Sequence, residues 1–200
     1  MRDDLLTWCR IREEIDWAGA AGPPPGPVQG RTDGLAEYAA DRAGGLPAAL
    51  RRARADLAGP LTYGRLAGWQ AEVLGVRAVG FRTGPAYAKG GRDRYGLHPD
   101  TPDRFRRCLA EADDRRMPVT ARAARVYLDI AFFHPFPDGN GRAALLALDF
   151  VLRRYGIALD LVAPLCVVRR PDDPDGALDL VRLIDALIRG ARRRGSMIGH

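Results

Sequence analysis

The nine residues from 134 to 142 read His-Pro-Phe-Pro-Asp-Gly-Asn-Gly-Arg. Apolar residues recur at helical spacing on both sides of this stretch, and Pro135 ends the first helix because the residue before a proline avoids helical backbone angles. The stretch therefore predicts two helices joined by a tight loop. That loop holds an imidazole, a carboxylate and a guanidinium, so it is also the first candidate for a functional site.

Helical patterns occupy most of the remaining chain. They are predicted over residues 3–17, 35–58 with a break near 44–47, 62–74, 102–112, 120–133, 142–155 and 177–193. Thr62, Thr120 and Asp175 are predicted to cap three of these helices, because their side-chain oxygens accept hydrogen bonds from a first turn. Residues 75–96 combine six glycines with apolar and aromatic residues, which favours a short β-hairpin. The predicted class is mainly α with one small β element.

The chain is predicted to consist of an N-terminal segment and one domain. Residues 1–30 begin with a helix, and residues 19–30 are rich in proline and glycine, which predicts a linker or an extended strap. Residues 31–200 are predicted to form the domain, with a last helix at about 176–194.

Charge and cysteine content limit the classes of function. The net charge of +6 comes almost entirely from arginine, since Lys89 is the only lysine. The arginine clusters are short, and no aromatic residues alternate with them for base stacking, so a solvated surface is expected and a nucleic-acid partner is not. Cys9, Cys108 and Cys166 lie far apart, which argues against a disulfide framework or a zinc site.

Neither a signal peptide nor a membrane-spanning stretch is apparent. The sequence therefore predicts a soluble, cytoplasmic protein without a membrane partner.

The glycines of the loop have two interpretations. Gly139, Asn140 and Gly141 could let consecutive amides converge on an anion at the start of a helix, where Arg142 would add a fork that fits phosphate. The same residues could equally form an ordinary turn between two helices. The motif alone leaves both interpretations open.

The other loop residues are equally open. Asp138 could bind Mg²⁺ together with substrate phosphates, or it could cap the following helix. His134 could accept a proton from an incoming hydroxyl near neutral pH, or it could bond only to its own helix end. Phe136 is predicted to be a structural anchor in the core.

Residues 134–142 resemble the signature of the Fic (Fido) family, HPFx[D/E]GNGRxxR, with every specified residue in place up to Arg142. The resemblance extends in order over a core of about 61–158. It covers a helix, a flap carrying Gly-Phe-Arg-Thr-Gly at 80–84, a helix, an Ala-rich helix, the loop and a Leu-rich helix. It implies a Fic-type helical bundle with a short β-hairpin flap.

The resemblance implies a nucleotidyltransferase that moves a nucleoside monophosphate, usually AMP from ATP, to a Ser, Thr or Tyr hydroxyl of a protein target. His134 would be the catalytic base, and Asp138 would hold Mg²⁺. The donor phosphates would be bound by Gly139, Asn140, Gly141 and Arg142. The flap near Arg82, Thr83 and Gly84 would align the target by strand-like pairing.

The chain departs from the family in two respects. Leu145 stands where the signature has its second arginine, and a leucine cannot contact a terminal phosphate. This leaves open weaker ATP binding, a different donor such as another NTP or CDP-choline, a small-molecule acceptor, or a non-catalytic nucleotide-binding module. The family's inhibitory motif, [S/T]-x-x-x-E-[G/N], is absent from the sequence, which implies either a separate inhibitory, antitoxin-like protein or no regulation of this type.

Overall fold

A computed structural model describes residues 2–42 and 44–196. The helices of the described residues are α1 (Asp4–Glu14), α2 (Gly34–Ala40), α3 (Leu46–Ala55), α4 (Tyr63–Leu74), α5 (Thr101–Ala110), α6 (Val119–Phe133), α7 (Asn140–Arg153) and α8 (Pro174–Ser196). The strands are β1 (Val28–Gln29), β2 (Ala86–Ala88), β3 (Asp93–Tyr95) and β4 (Ile157–Ala158). The predicted class, mainly α with a small β element, is confirmed.

The pair α6 and α7 forms the centre of the bundle. The two helices pack along each other, α8 and α1 cover α6, and α3 and α4 cover α7. Every residue of α7 from Ala143 to Leu152 is buried. A helix that is buried on all sides belongs in the middle of a bundle, so the loop between α6 and α7 is fixed at both ends.

The N-terminal segment packs on this centre. On α1, the Trp8 indole donates to Asp129 Oδ1 over 2.9 Å, and the Arg12 guanidinium donates to the same carboxylate over 2.7 and 3.0 Å. Beyond α1, the proline-rich stretch ends in β1, which pairs in parallel with β4 through Val28 and Ile157. The stretch is therefore a strap that returns to the bundle.

The predicted β-hairpin is present as β2 and β3. The strands are antiparallel, with Ala86 opposite Tyr95 and Ala88 opposite Asp93. The outer edge of β3 is bound by the start of α1, because the Arg94 amide donates to Asp4 Oδ2 over 3.2 Å and the Gly96 amide donates to an Asp3 oxygen over 3.0 Å. These contacts attach the flap to the bundle along one edge.

One of the three predicted helix caps is confirmed. Thr62 accepts a hydrogen bond from the Arg65 amide at the start of α4. The prediction for Thr120 is wrong, because α6 begins one residue earlier after Pro118 and encloses Thr120. The prediction for Asp175 is also wrong: proline suits the first position of a helix, so α8 begins at Pro174 and the preceding Asp173 accepts from the Gly176 amide over 2.8 Å.

Two predicted absences concern the described residues. No helix in the described ranges combines the length and apolar character needed to cross a membrane. The thiols of Cys9, Cys108 and Cys166 are all free.

The buried Trp8–Arg12–Asp129 contact gives a stability prediction. Asp129→Ala leaves the almost completely buried Arg12 without its main partner, so we expect the free energy of unfolding to fall by about 3–5 kcal/mol. Chemical denaturation followed by circular dichroism measures this. Asp179→Ala removes an exposed pair with Arg182 and should cost less than about 1 kcal/mol. Equal losses in the two variants would contradict the assignment.

Candidate active site

His134 directly follows α6 as its C-terminal cap and has an unusual backbone. Its φ of 49° and ψ of 54° are left-handed, a conformation that few residues other than glycine adopt. Its Nδ1 lies 3.0 Å from the Ala131 carbonyl oxygen. A carbonyl only accepts hydrogen bonds, so Nδ1 carries the proton and Nε2 is the nitrogen with a free lone pair.

Tyr95 of the flap covers one face of this imidazole. The two rings are stacked at 4.5 Å between centroids and 6° between planes, and Tyr95 is buried. Burial lowers the pKa of His134 below its ordinary value, the Arg82 charge acts in the same direction, and the contact with the Ala131 carbonyl opposes the shift. The imidazole is therefore neutral at pH 7, with the lone pair that a proton acceptor needs.

The loop after His134 is closed by Asn140. Its Oδ1 accepts from the Phe136 amide and its Nδ2 donates to the Phe136 carbonyl, both over 2.9 Å. Phe136 itself is completely buried and stacks on Tyr63, which agrees with its predicted role as an anchor. Gln70 of α4 fixes the other side of the loop, donating to the Asp138 carbonyl over 2.6 Å. The Asn140 side chain thus shapes the loop, and only its backbone amide is left for a ligand.

The two glycines of the loop have different reasons for being there. Gly139 has a φ of 74°, and a Cβ there would lie 2.5 Å from the Gln70 amide nitrogen, so both backbone and space require glycine. At Gly141 a Cβ would meet no atom within 4 Å. Glycine in a helix is less stable than alanine by about 1 kcal/mol. The open space above Gly141 instead allows a ligand to approach the backbone.

The first turn of α7 presents an electropositive end to this space. The amides of residues 140–142 have no acceptor within the helix, because the first intrahelical bond runs from Ala143 to Gly139. Arg142 extends from the same turn and lies 3.4 Å from an oxygen of the exposed Asp138. Asp138 also accepts from the Gly139 amide over 2.6 Å, so it does not cap the turn in the usual way.

These groups line one cleft of about 400 Å³. It brings together His134, Asp138, Gly139, Asn140, Gly141 and Arg142, which are the loop residues predicted from the sequence. Leu145 contributes to its apolar wall and is almost completely buried. The described residues contain no cluster of three or more potential metal ligands, so Asp138 is a lone carboxylate here.

Sequence reasoning missed several residues of this site. Tyr38 of α2, Tyr127 of α6 and Cys166 line the cleft opposite the loop, and Tyr95 covers the imidazole. Tyr127 lies seven residues before His134, two helical turns along the same face, so the helical period could have identified it. The other three come from distant segments and carry no motif.

The predicted flap residues do not lie together at the cleft. Arg82 is buried and donates to the carbonyls of Phe133, His134, Gly84 and Gly96. The last carbonyls of a helix have no hydrogen-bond donor within the helix, and the Arg82 guanidinium supplies donors to those at the end of α6. It is therefore not exposed toward a target. Thr83 is exposed and Gly84 half-buried, and the strand of the flap begins only at Ala86.

A bundle centred on such a helix pair, with a hairpin flap beside the connecting loop, is the fold of Fic domains. Residues 61–152 match the family model described as the Fic/DOC family. This segment is somewhat less than half of the chain, and over it the match confirms the resemblance seen in the sequence. No curated protein matches the chain.

Solved structures agree on the fold. Fic-1 (residues 134–508) from C. elegans is similar with a TM-score of 0.54 and 21% identity over 76% of this chain and 50% of that one. A Fic domain containing signaling protein from Bacteroides thetaiotaomicron has a TM-score of 0.51 and 20% identity over 74% and 66%. IbpAFic2 covalently tethered to Cdc42 has a TM-score of 0.60 and 12% identity over 93% and 72%. The chain thus spans about half the length of Fic-1 and two thirds of the Bacteroides protein.

The stack of Tyr95 on His134 gives a prediction about titration. Tyr95→Ala opens one face of the imidazole to water, so the pKa of His134 should rise toward its ordinary value of about 6.5. Tyr95→Phe keeps the ring and should leave the pKa low. NMR titration of the imidazole signals, assigned with His134→Ala, measures both variants. Identical His134 pKa values in the two variants would show that the stack does not cause the shift.

Proposed function

We propose that this chain transfers a nucleoside monophosphate, AMP from ATP in the simplest case, to a Ser, Thr or Tyr hydroxyl of a protein. Fic domain proteins transfer nucleotide-derived groups to proteins. The observation that carries the proposal is the single cleft in which a neutral imidazole faces the free amides at the start of α7. Such a helix start binds phosphate through its amides and its partial positive charge.

The reaction is determined by which atoms are free. Nε2 of His134 accepts the proton of the acceptor hydroxyl, and the oxygen forms a bond to the α-phosphorus of the donor. The bond from that phosphorus to the bridging oxygen breaks, and the electron pair leaves with pyrophosphate. The amides of Asn140 and Gly141 and the Arg142 guanidinium stabilise the negative charge on the phosphates as it shifts toward the leaving group.

Mg²⁺ is proposed to enter with the nucleotide. Mg²⁺ commonly takes one or two protein carboxylates and completes its shell with phosphate oxygens and water, and the exposed, lone carboxylate of Asp138 fits that arrangement. When bound, the metal ion would neutralise phosphate charge. Asp138 would have to leave its contact with Arg142, and that exchange also frees the guanidinium for phosphate.

The target is proposed to approach the flap. The outer edge of β3 is already bound by Asp3 and Asp4, so β2 is the strand with an edge left for pairing. Tyr87 of β2 is 54% exposed, so its side chain is accessible to a target strand that pairs with β2. Thr83 and Gly84 lead into this strand, and Arg82 holds the base of the flap in place.

A second candidate differs in the donor and rests on Leu145. An apolar wall at this position offers nothing to a terminal phosphate, while the amides and Arg142 can hold two phosphates. A donor with a diphosphate, such as CDP-choline, or a nucleotide other than ATP would satisfy the same groups. A non-catalytic nucleotide-binding module is the remaining alternative, and a separate inhibitory protein remains compatible with all of these.

Group transfer predicts a mass increase on a target. We expect a protein substrate incubated with the chain, ATP and Mg²⁺ to gain about 329 Da per AMP, with loss of one pyrophosphate. His134→Ala should lower the rate by at least about 100-fold, because it removes the base while leaving the phosphate amides. Intact-mass spectrometry measures both. Nucleotide binding without any transfer in the parent chain would instead favour the non-catalytic module.

Leu145 predicts weak dependence on the γ-phosphate. A charged contact to phosphate is worth about 1.5–3 kcal/mol, and its absence should leave turnover little affected by the group attached to the β-phosphate. Comparison of ATP, CTP, UTP, GTP and CDP-choline as donors tests this, and Leu145→Arg should increase the preference for triphosphates. A strict requirement for an intact ATP γ-phosphate in the parent chain would refute the prediction.

A further inference from the structure

A groove of about 590 Å³ lies beside the flap and outside the cleft. We name it the flap groove. Its lining comes from three parts of the chain: the flap with Lys89, Arg92 and Asp93, the later segment with Val168, Arg170 and Pro171, and the N-terminal Arg2 and Asp4. It is larger than the cleft that holds His134.

The flap groove has more basic than acidic side chains. Arg2, Lys89, Arg92 and Arg170 line it, against Asp4 and Asp93. Lys89 pairs with Asp93 over 2.7 Å, Arg2 pairs with both Asp4 and Asp172, and Arg170 shares the Asp172 carboxylate with Arg2. Arg92 is exposed and contacts no carboxylate within the described residues; its Nε donates to the Lys89 carbonyl. Arg92 and the shared Arg170 are therefore the cations with capacity for an outside anion.

The groove and the cleft have lining residues that are neighbours along the chain. Cys166 lines the cleft and Val168 lines the groove, so two residues, or ~7 Å of extended chain, separate the two sites. Val167 and the groove residue Val168 are 62% and 68% exposed, so two adjacent apolar side chains lie on this surface. On the other side, β3 joins Asp93 in the groove to Tyr95 on the imidazole.

We propose that the flap groove binds an acidic, extended segment of the target protein that adjoins the acceptor residue. A target segment that leaves the cleft past Cys166 is expected to reach Val168 and Arg170, because these residues follow Cys166 closely along the chain. Acidic side chains there would contact Arg170 and Arg92, and an apolar neighbour would cover Val167 and Val168. This inference rests on the proposed function, since it assumes that the acceptor belongs to a protein.

Peptide binding without nucleotide tests the groove independently of catalysis. The probe is a fluorescein-labelled peptide of eleven residues with a central serine and with Asp and Glu two and three positions away on both sides; its partner carries Asn and Gln instead. We expect the acidic peptide to bind about tenfold more tightly by fluorescence anisotropy, because each exposed ion pair contributes at most about fivefold. The double variant Arg92→Gln, Arg170→Gln should remove this difference.

Arg193→Gln is the matched control, since Arg193 is an exposed arginine of α8 that does not line the groove. It should leave the preference for the acidic peptide unchanged. Equal binding of the two peptides to the parent chain, or an equal loss in the double variant and the control, overturns the inference. A single-stranded oligonucleotide that binds more tightly than the acidic peptide and is lost in the double variant also overturns it, in favour of a nucleic-acid surface.

The transfer assay separates the two proposals. Acid-selective binding without mass transfer would support the groove and contradict the proposed function. Transfer to a protein whose modification is unaffected by the double variant would support the function and contradict the groove. For a modified target, we expect the double variant to raise KM about tenfold and to leave kcat unchanged, because the groove does not touch the reacting atoms.

Discussion

The whole site depends on one closed pair of hydrogen bonds between the Asn140 side chain and the backbone of Phe136. The Asn140 side chain bonds to both the amide and the carbonyl of Phe136, as a neighbouring strand would. The two bonds are buried, so breaking them leaves the amide and the carbonyl unpaired, at a cost of about 1–3 kcal/mol each. Because the loop between α6 and α7 is short, its shape is almost completely determined once this closure, the Gln70 contact and the buried Phe136 ring are fixed.

Two consequences of that shape underlie the proposed chemistry. The left-handed turn at His134 ends α6 and directs the imidazole out of the helix, where Ala131 holds the proton on Nδ1 and Tyr95 covers one face. The left-handed turn at Gly139 starts α7 so that its free amides open into the same cleft. The imidazole and the free amides therefore face each other because only six residues separate the end of α6 from the start of α7.

The sequence predicted this loop well because its residues are contiguous and their spacing alone defines the turn. It also predicted the mainly α fold, the break near Pro135 and the hairpin, each from local periodicity or composition. It failed where tertiary contacts decide. Arg82 was expected at the target, but it is buried and donates to four carbonyls, two at the end of α6 and two beside the flap, and no pattern within the flap indicates this. Tyr38 and Tyr95 reach the cleft from distant segments, which only the packing of the bundle brings close.

Leu145 shows how the donor preference could change without cost to the fold. One side of this residue faces the cleft, and the other faces an apolar space lined by Leu35, Leu148 and Ile157. A leucine therefore adds core contacts where an arginine would have to cross apolar surroundings to reach a phosphate. The hydrogen bonds by which Asn140 closes the loop do not involve Leu145. Under the proposed function, a substitution here would alter which phosphate-containing group fits and would leave the closure of the loop intact.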